Sequence, residues 1–376
     1  MLDINTPIVT TPVSVRLRRS PFWARSHAAG GTNYTSYNHT LLAADFMGPE
    51  EDYHHLKRAV QLWDVGCERQ IELRGPDALR LVQMSTPRDV ERMKDDQCFY
   101  IPTVDADGGM TNDPVLIKVA ENHFWVSIAD SDMILFYKGV TAALGLNVSI
   151  EEAEVFPLGI QGPKADELAA RFWGEDATDM RFFRFKRVDV HGKSMILARS
   201  GYSTQGGFEL YFEGTDGGTE LWDELIEMGV DLDVQAGSPC QSERIESGML
   251  SYRSDITSDM TPFEAGLGKL CEMERDIGCL GWKALREKRN PARQIRPVEI
   301  FGDVLPPMRE FWTVTDETGA RVGRISSSCR SWSFECNAAI GLIDRSHWDP
   351  GTRLVVHAPD GARDAIVQEK FWGRWT

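Results

Sequence analysis

Gln70-Ile71-Glu72-Leu73-Arg74-Gly75-Pro76-Asp77-Ala78-Leu79-Arg80-Leu81-Val82 carries the grammar that decides the fold. Residues 70–74 alternate polar and apolar, the pattern of a half-buried strand, and Gly75-Pro76 marks a turn. Pro76 then opens a helix, because a proline in a first turn gives up an N–H that would have had no partner there. A strand–helix unit follows. The same sequence of events returns at Val155 to Gln161 (strand), Gly162-Pro163 (turn) and Lys164 to Phe172 (helix), where Ala165, Leu168, Ala169 and Phe172 supply an apolar side. Between the two units lie strand candidates at Tyr100–Val104, Val115–Val119 and His123–Ile128 and a helix over Asp132–Leu144. Upstream, Glu50 to Val65 has helical texture with Tyr53, Leu56, Val60 and Leu62 near one face, running into Trp63-Asp64-Val65. Several neighbouring strands lack the dozen-residue crossover that parallel pairing requires, so the expectation is α+β with mixed and antiparallel sheets.

After Ala284 the helical period disappears. Short strand candidates at Arg296–Ile300, Glu310–Val314, Ala338–Ile343, Thr352–Val356 and Ala365–Val367 are separated by Gly, Pro and Asp. They predict a separate small β-domain, a barrel or sandwich over residues 291–376, joined to residues 1–290 by a basic linker around Pro291.

The chain of 376 residues carries 57 acidic and 41 basic side chains, a net charge of −16, with 42% hydrophobic and 10% aromatic residues. This composition excludes a disordered chain, and no basic run is long enough for a nucleic-acid or membrane-surface protein. Seven cysteines at 67, 98, 240, 271, 279, 329 and 336 lack Cys-x-x-Cys spacing and read as reduced thiols. The eight histidines show no ligand spacing, so no metal is expected. The absence of an apolar leader and of a membrane-length apolar window leads to the expectation of a cytoplasmic protein, monomer or homodimer, with a transit-type leader within residues 1–15 left open. Dinucleotide-binding, P-loop, α/β-hydrolase and zinc-protease signatures are all missing.

Four denser segments remain: Tyr34 to Leu42 with Phe22-Trp23 before it, Asp105 to Pro114, Ser200 to Leu210, and Glu243-Arg244-Ile245-Glu246-Ser247-Gly248. Each has a plain reading. Asp105 to Gly109 suits a hairpin turn, Gly201 to Gly207 a flexible surface loop, and Arg244 and Glu246 solvated helix charges.

Their joint order resembles the glycine-cleavage T-protein (aminomethyltransferase) family. Trp63-Asp64-Val65, Gly108-Gly109-Met-Thr-Asn-Asp113, Gln161-Gly162-Pro163, Gly201-Tyr202 through Gly207-Phe208-Glu209, Arg244-Ile245-Glu246-Ser247-Gly248 and Gly281-Trp282-Lys283-Ala284-Leu285 match its segments in order over about 220 residues. Within that family the chain is most similar to tetrahydrofolate-dependent dimethylsulfoniopropionate demethylases, on Tyr37-Asn38-His39, Cys67-Glu68-Arg69-Gln70, Asn112-Asp113-Pro114, Ser127 to Asp132 and Arg345-Ser346-His347-Trp348 among others.

The resemblance implies a split two-lobe folate-binding region closed by the C-terminal β-domain, with tetrahydrofolate in a central hole. It implies an enzyme that moves a methyl group from a small methylated donor to N5 of the folate. It assigns Asp113 to catalysis, with Asp105 as the alternative if its turn folds inward. Glu209, Arg244, Tyr202, Tyr100 and Trp372 are implied as folate-binding, and Trp23, Tyr34, Tyr37, Thr204 and Arg253 as substrate-binding. The alternative for the aromatic residues is a place in the core or at a hinge.

Two departures bear on the donor. Asn112 replaces the first acid of the T-protein pair, which argues for a donor that leaves without an acid. Ser200-Gly-Tyr-Ser-Thr-Gln-Gly206 has Tyr202 and Thr204 where typical demethylases carry Trp and Lys, so Arg253 is an alternative partner for a donor carboxylate. Dimethylsulfoniopropionate is the first donor implied, with a betaine, an N-methylamine or a methoxy-acid as alternatives. A non-enzymatic folate-binding factor for iron–sulfur assembly is the remaining reading, and Ile277-Gly-Cys279-Leu-Gly-Trp-Lys283 lacks the Gln-Glu of that branch.

Overall fold

The computed structural model describes residues 16–373, so a leader within residues 1–15 lies outside the described residues. The opening stretch folds as read: strand Gln70–Arg74, a turn, and helix Ala78–Ser85. The second unit repeats it with strand Val155–Gln161 and helix Ala165–Trp173. Gly75 and Gly162 make the two corners with φ of +139° and +127°, and a Cβ at Gly162 would stand 2.2 Å from the carbonyl oxygen of Ala59. Only glycine can turn there.

Each unit belongs to its own sheet. The first sheet has the order Ser149–Ala153, Gln70–Arg74, His123–Ser127, Val115–Ala120, Cys98–Tyr100, all antiparallel. Helices Ala78–Ser85 and Met133–Leu144 cover it, with Ile71, Leu73, Leu81, Phe124 and Tyr137 in the core between them. The second sheet has the order Phe185–Val190, Lys193–Ala198, Gly207–Glu213, Val155–Gln161, Val60–Asp64, Val234–Gly237. Its last pair is parallel and the others antiparallel.

The structure corrects three readings. The helix expected over 50–65 is Pro49–Arg58 followed by strand Val60–Asp64. That strand lies inside its sheet and is buried on both faces, Gln61 included, so its residues follow neither period. The stretch Gly201 to Gly207 is irregular as far as Gly206, but it is partly buried and tied down through Tyr202, Ser203 and Thr204, and Gly207 begins strand Gly207–Glu213 in the middle of the second sheet.

The C-terminal region is a β-barrel as expected, and the third correction concerns how it is joined. It is a closed six-stranded barrel in the order Arg293–Ile300, Cys336–Asp344, Arg321–Ser331, Trp312–Thr315, Arg353–Ala358, Gly361–Val367. It is not hung on a linker: Ile295, Ala338, Ile340 and Leu342 share one core with Val104, Met110, Ile245, Tyr252, Met260 and Leu285. The eleven-residue strand Arg321–Ser331 was not expected, because its Ser326-Ser327-Ser328 centre lacks apolar alternation. Ser326 and Ser327 point inward as hydrogen-bond donors to Asp255, at 2.6 and 2.7 Å, with a register shift between Ile325 and Ser327. Among the described residues no helix is long and apolar enough to cross a membrane, no group of ligating side chains could hold a metal, and all seven cysteines are free.

Candidate active site

The link between strands Val60–Asp64 and Gln70–Arg74 passes from one sheet to the other and carries Glu68. Asp113 follows the short strand Met110–Asn112, and Glu209 stands on Gly207–Glu213. These three carboxyls face one another electrostatically. Burial, then the charge of Glu209, push Glu68 up to about 8, and Asp113 adds to it. Burial, with a smaller push from the charge of Asp255, raises Asp113 to about 7, although the Tyr100 hydroxyl donates to its Oδ2 at 2.9 Å. Glu209 is raised by burial against a hydrogen bond of 2.5 Å from Ser200 Oγ. No ion pair among the described residues involves any of the three. The other oxygen of Asp113, Oδ1, is buried with no hydrogen-bond partner.

Tyrosines surround them. Burial and then the charge of Asp113 raise Tyr37 and Tyr100, and burial, then Asp255 and Asp113, raise Tyr202. Tyr37, Glu68, Tyr100 and Tyr202 are only partly covered, yet burial is the first cause of each shift. Their remaining surface lies beside buried Asp113 and Glu209, in a recess where the two sheets meet. Orphaned Asp113 Oδ1 points to a ligand donor there, since a buried acceptor left unpaired costs about 1–3 kcal/mol.

Asn112 sets the aim of Asp113. Its Oδ1 accepts from the N–H groups of Asp113 (2.9 Å) and Ala129 (3.0 Å), and its Nδ2 donates to Ala129 O (3.0 Å) and Ser131 Oγ (2.8 Å). All four capacities of the amide are used. An aspartate would lack the two donors, so Asn112 is a brace, and its identity does not by itself report on the leaving group.

The structure separates the other sequence-predicted residues. Asp105 is a turn former: its Oδ1 accepts from the N–H groups of Asp107 and Gly109, each at 2.9 Å. Arg244 is buried and bonded to Asp255 (2.8 Å), Ser327 Oγ (2.9 Å), Met249 O (3.2 Å) and Gln241. It ties its helix Gln241–Ser247 to the barrel. Tyr202 lies between Arg244 and Asp113, with its hydroxyl donating to Leu250 O at 2.8 Å. Thr204 donates through its N–H (2.8 Å) and hydroxyl to Glu243 Oε1, so it anchors its loop. Arg253 is 68% exposed on the rim, 3.5 Å from Asp130.

Of the proposed aromatic walls, Tyr37 reaches the carboxyls. Trp23 and Tyr34 form a separate half-exposed cluster with His27: Trp23 stacks on His27 at 5.4 Å and Tyr34 hydrogen-bonds it at 2.7 Å. Trp372 packs on the core that holds Ile245 and Tyr252, and the next residue, Gly373, donates to Glu246 O at 2.7 Å. Glu68 is the acid that residue-by-residue reading missed; its signal was its place in Cys67-Glu68-Arg69-Gln70.

A family model described as the GCVT N-terminal domain matches residues 24–275. The chain belongs to the GCVT family. Among curated GCVT relatives, the dimethylsulfoniopropionate demethylase DmdA of Ruegeria pomeroyi is 50% identical over 361 residues, 96% of this chain and 98% of that one. An aminomethyltransferase of Staphylococcus epidermidis is 25% identical over 94% of this chain and 98% of its own length. The crystal structure of glycine cleavage system aminomethyltransferase T from Bartonella henselae superposes with a TM-score of 0.84, covering 96% of this chain and 98% of that one at 22% identity. The α+β fold closed by a barrel is thus the fold of the family.

Proposed function

We propose that this protein is a tetrahydrofolate-dependent demethylase that moves a methyl group from a small cationic donor, dimethylsulfoniopropionate first among them, to N5 of the folate. The observation that carries this reading is the acid cluster: Glu68, Asp113 and Glu209 meet among tyrosines with no basic partner among the described residues, so burial holds them toward the neutral form until an arriving cation favours ionisation. An onium donor gains Coulomb attraction there, and cation–π contact adds about 0.5–2 kcal/mol per good face. A methoxy group gains neither. The relative at 50% identity, named for dimethylsulfoniopropionate, supports the same donor.

The recess also fits the pterin. A flat ring with adjacent N–H donors needs aromatic walls and a carboxylate, and Tyr37, Tyr100, Tyr202 and Glu209 supply them, with Asp113 Oδ1 free to take a further donor. When bound, tetrahydrofolate supplies the nitrogen lone pair that takes the methyl group. Displacement at a sulfonium releases a neutral thioether and needs no acid, so the chain's contribution is alignment and exclusion of water. Asp113, near half-protonated at neutral pH, holds or accepts a proton at Oδ1 while Tyr100 fixes Oδ2. Thr204 is engaged by Glu243, which leaves Arg253 as the basic group for the donor's carboxylate. Cys279 is buried and its thiol is pushed up to about 12, unsuited to holding a cluster. A cytoplasmic place and a monomeric or dimeric state go with this reading.

The test is incubation with tetrahydrofolate and sulfonium, betaine, methylamine and methoxy-acid donors at equal concentration. The sulfonium should give 5-methyltetrahydrofolate fastest and the methoxy-acid none; silence from every donor rejects the proposal.

A further inference from the structure

The register of the first sheet lines up a polar row where the two sheets meet. Tyr100 pairs with Val115, Val115 with Ser127 and Ser127 with Gln70, so the four side chains stand on one face. Cys98, Ile117 and Trp125 form the next row on that face and pack on Ile196, Ala198 and Tyr211 of the second sheet. Glu209, two residues before Tyr211, shares its side of the strand and so also faces the first sheet.

Glu68 closes this polar end. Ser127 Oγ donates to its Oε2 at 3.3 Å, while Gln70 Nε2 donates to Ser127 Oγ at 2.8 Å and to the Glu68 carbonyl at 2.7 Å. The hydroxyl hydrogen of Ser127 is thereby aimed at Oε2, and a proton on this carboxyl belongs on Oε1. Gln70 Oε1 and the Tyr211 hydroxyl are buried here without partners. The titratable groups that face Glu68 are Glu209 and Asp113, with Tyr37, Cys67 and Tyr211 in reach of its charge. None of them is basic. Arg69, next in the chain, is turned to Glu152 at 2.5 Å and Asp132 at 3.2 Å. Glu209 and Asp113 are buried, are held by Ser200 and Tyr100, and suit the pterin. Glu68 is partly exposed and has no such task.

We propose that Glu68 is the residue that selects a positively charged donor: it gives up the proton on Oε1 as the onium group arrives and stays beside it as the carboxylate. This rests on the demethylase reading above. One O–H bond breaks, its electron pair stays on Oε1 and the proton leaves to water, so the site gains a cation, loses a proton and keeps its net charge. Burial favours the neutral carboxyl, whereas a cation within about 4–6 Å favours the anion. A neutral methoxy donor brings no charge to exchange, and Glu68 stays protonated against it.

Calorimetric titration with dimethylsulfoniopropionate at pH 7, in two buffers of different ionisation heat, counts the protons without turnover. The protein is titrated alone and again when saturated with folic acid, whose oxidised ring accepts no methyl group. A carboxyl at about 8 that ionises fully should release close to one proton per donor, and affinity should rise about eight-fold from pH 7 to 8.5. Glu68→Gln should lower the release by most of a proton and leave a rise of about two-fold, with a narrower preference for the sulfonium over a methoxy-acid. Donor binding by the unmodified protein without proton release, or a Glu68→Gln variant that keeps both the release and the pH dependence, would overturn this role alone. If no onium donor binds with or without folic acid, the demethylase reading falls and takes the role of Glu68 with it.

Discussion

Removing the Asp255 carboxylate should destabilise the protein. Asp255 is fully buried and accepts from four groups: Arg244 Nη1 at 2.8 Å and the Ser251 N–H at 3.0 Å on Oδ2, Ser326 Oγ at 2.6 Å and Ser327 Oγ at 2.7 Å on Oδ1. It joins helix Gln241–Ser247, the segment after it, and the barrel strand. Asp255→Ala leaves the Arg244 charge buried with only neutral partners, which costs about 3–5 kcal/mol. For 376 residues, an unfolding entropy of roughly 2.1 cal/mol/K per residue gives about 0.8 kcal/mol/K, so the melting temperature should fall by about 5 °C. Thermal unfolding followed by circular dichroism reads this directly. The double variant Asp255→Ala/Arg244→Leu should recover much of the loss, because no unpaired charge remains. A shift below about 1 °C in the single variant, or a double variant as unstable as the two losses added, would refute the reasoning. An Arg244→Leu variant that melted normally but lost folate affinity would return Arg244 to the ligand.

Further outcomes follow from the carboxyl cluster. Folding raises Asp64 from 3.8 to about 6, Asp113 from 3.8 to about 7 and Glu68 from 4.5 to about 8, so the folded state holds more protons across that window. Stability should therefore fall as pH rises from about 4 toward 8, and Glu68→Gln should flatten the upper part of a melting-temperature profile; a Glu68→Gln profile parallel to the unmodified one would count against it. Tyr100→Phe removes the bond that lowers Asp113, so the ionisation near 7 in kcat/KM should move upward. Glu209→Gln should weaken folate binding by about ten- to a hundred-fold in calorimetry, the loss of a charged hydrogen-bond acceptor. Thr204→Ala should lower the melting temperature and leave the KM for the donor unchanged, because the hydroxyl faces Glu243.

The two strand–Gly-Pro–helix units were legible because Gln70–Arg74 alternates, each helix buries one face and Gly-Pro punctuates both, whereas strand Val155–Gln161 is buried throughout and shows only as an apolar stretch before its turn. Strand Val60–Asp64 is buried on both faces, and strand Arg321–Ser331 buries serines that serve Asp255, so period could reveal neither. The site was legible in part. Asp113, Glu209, Tyr37, Tyr100 and Tyr202 come together from segments far apart in the chain. Arg244 and Thr204 matched the resemblance as residue types, but their roles depend on Asp255 and Glu243, partners that spacing alone cannot pair with them. Glu68 sits in a link without period, and its raised state comes first from burial and then from Glu209, both of which arise only when the two sheets pack together.

Direct methyl transfer is the centre of this account. Dimethylsulfoniopropionate labelled with carbon-13 in its S-methyl groups, incubated with the protein and tetrahydrofolate, should place one labelled carbon on folate N5 for each molecule of methylthiopropionate formed, as read by NMR. Label found in dimethyl sulfide, or consumption of the donor with none of it on the folate, would contradict the account.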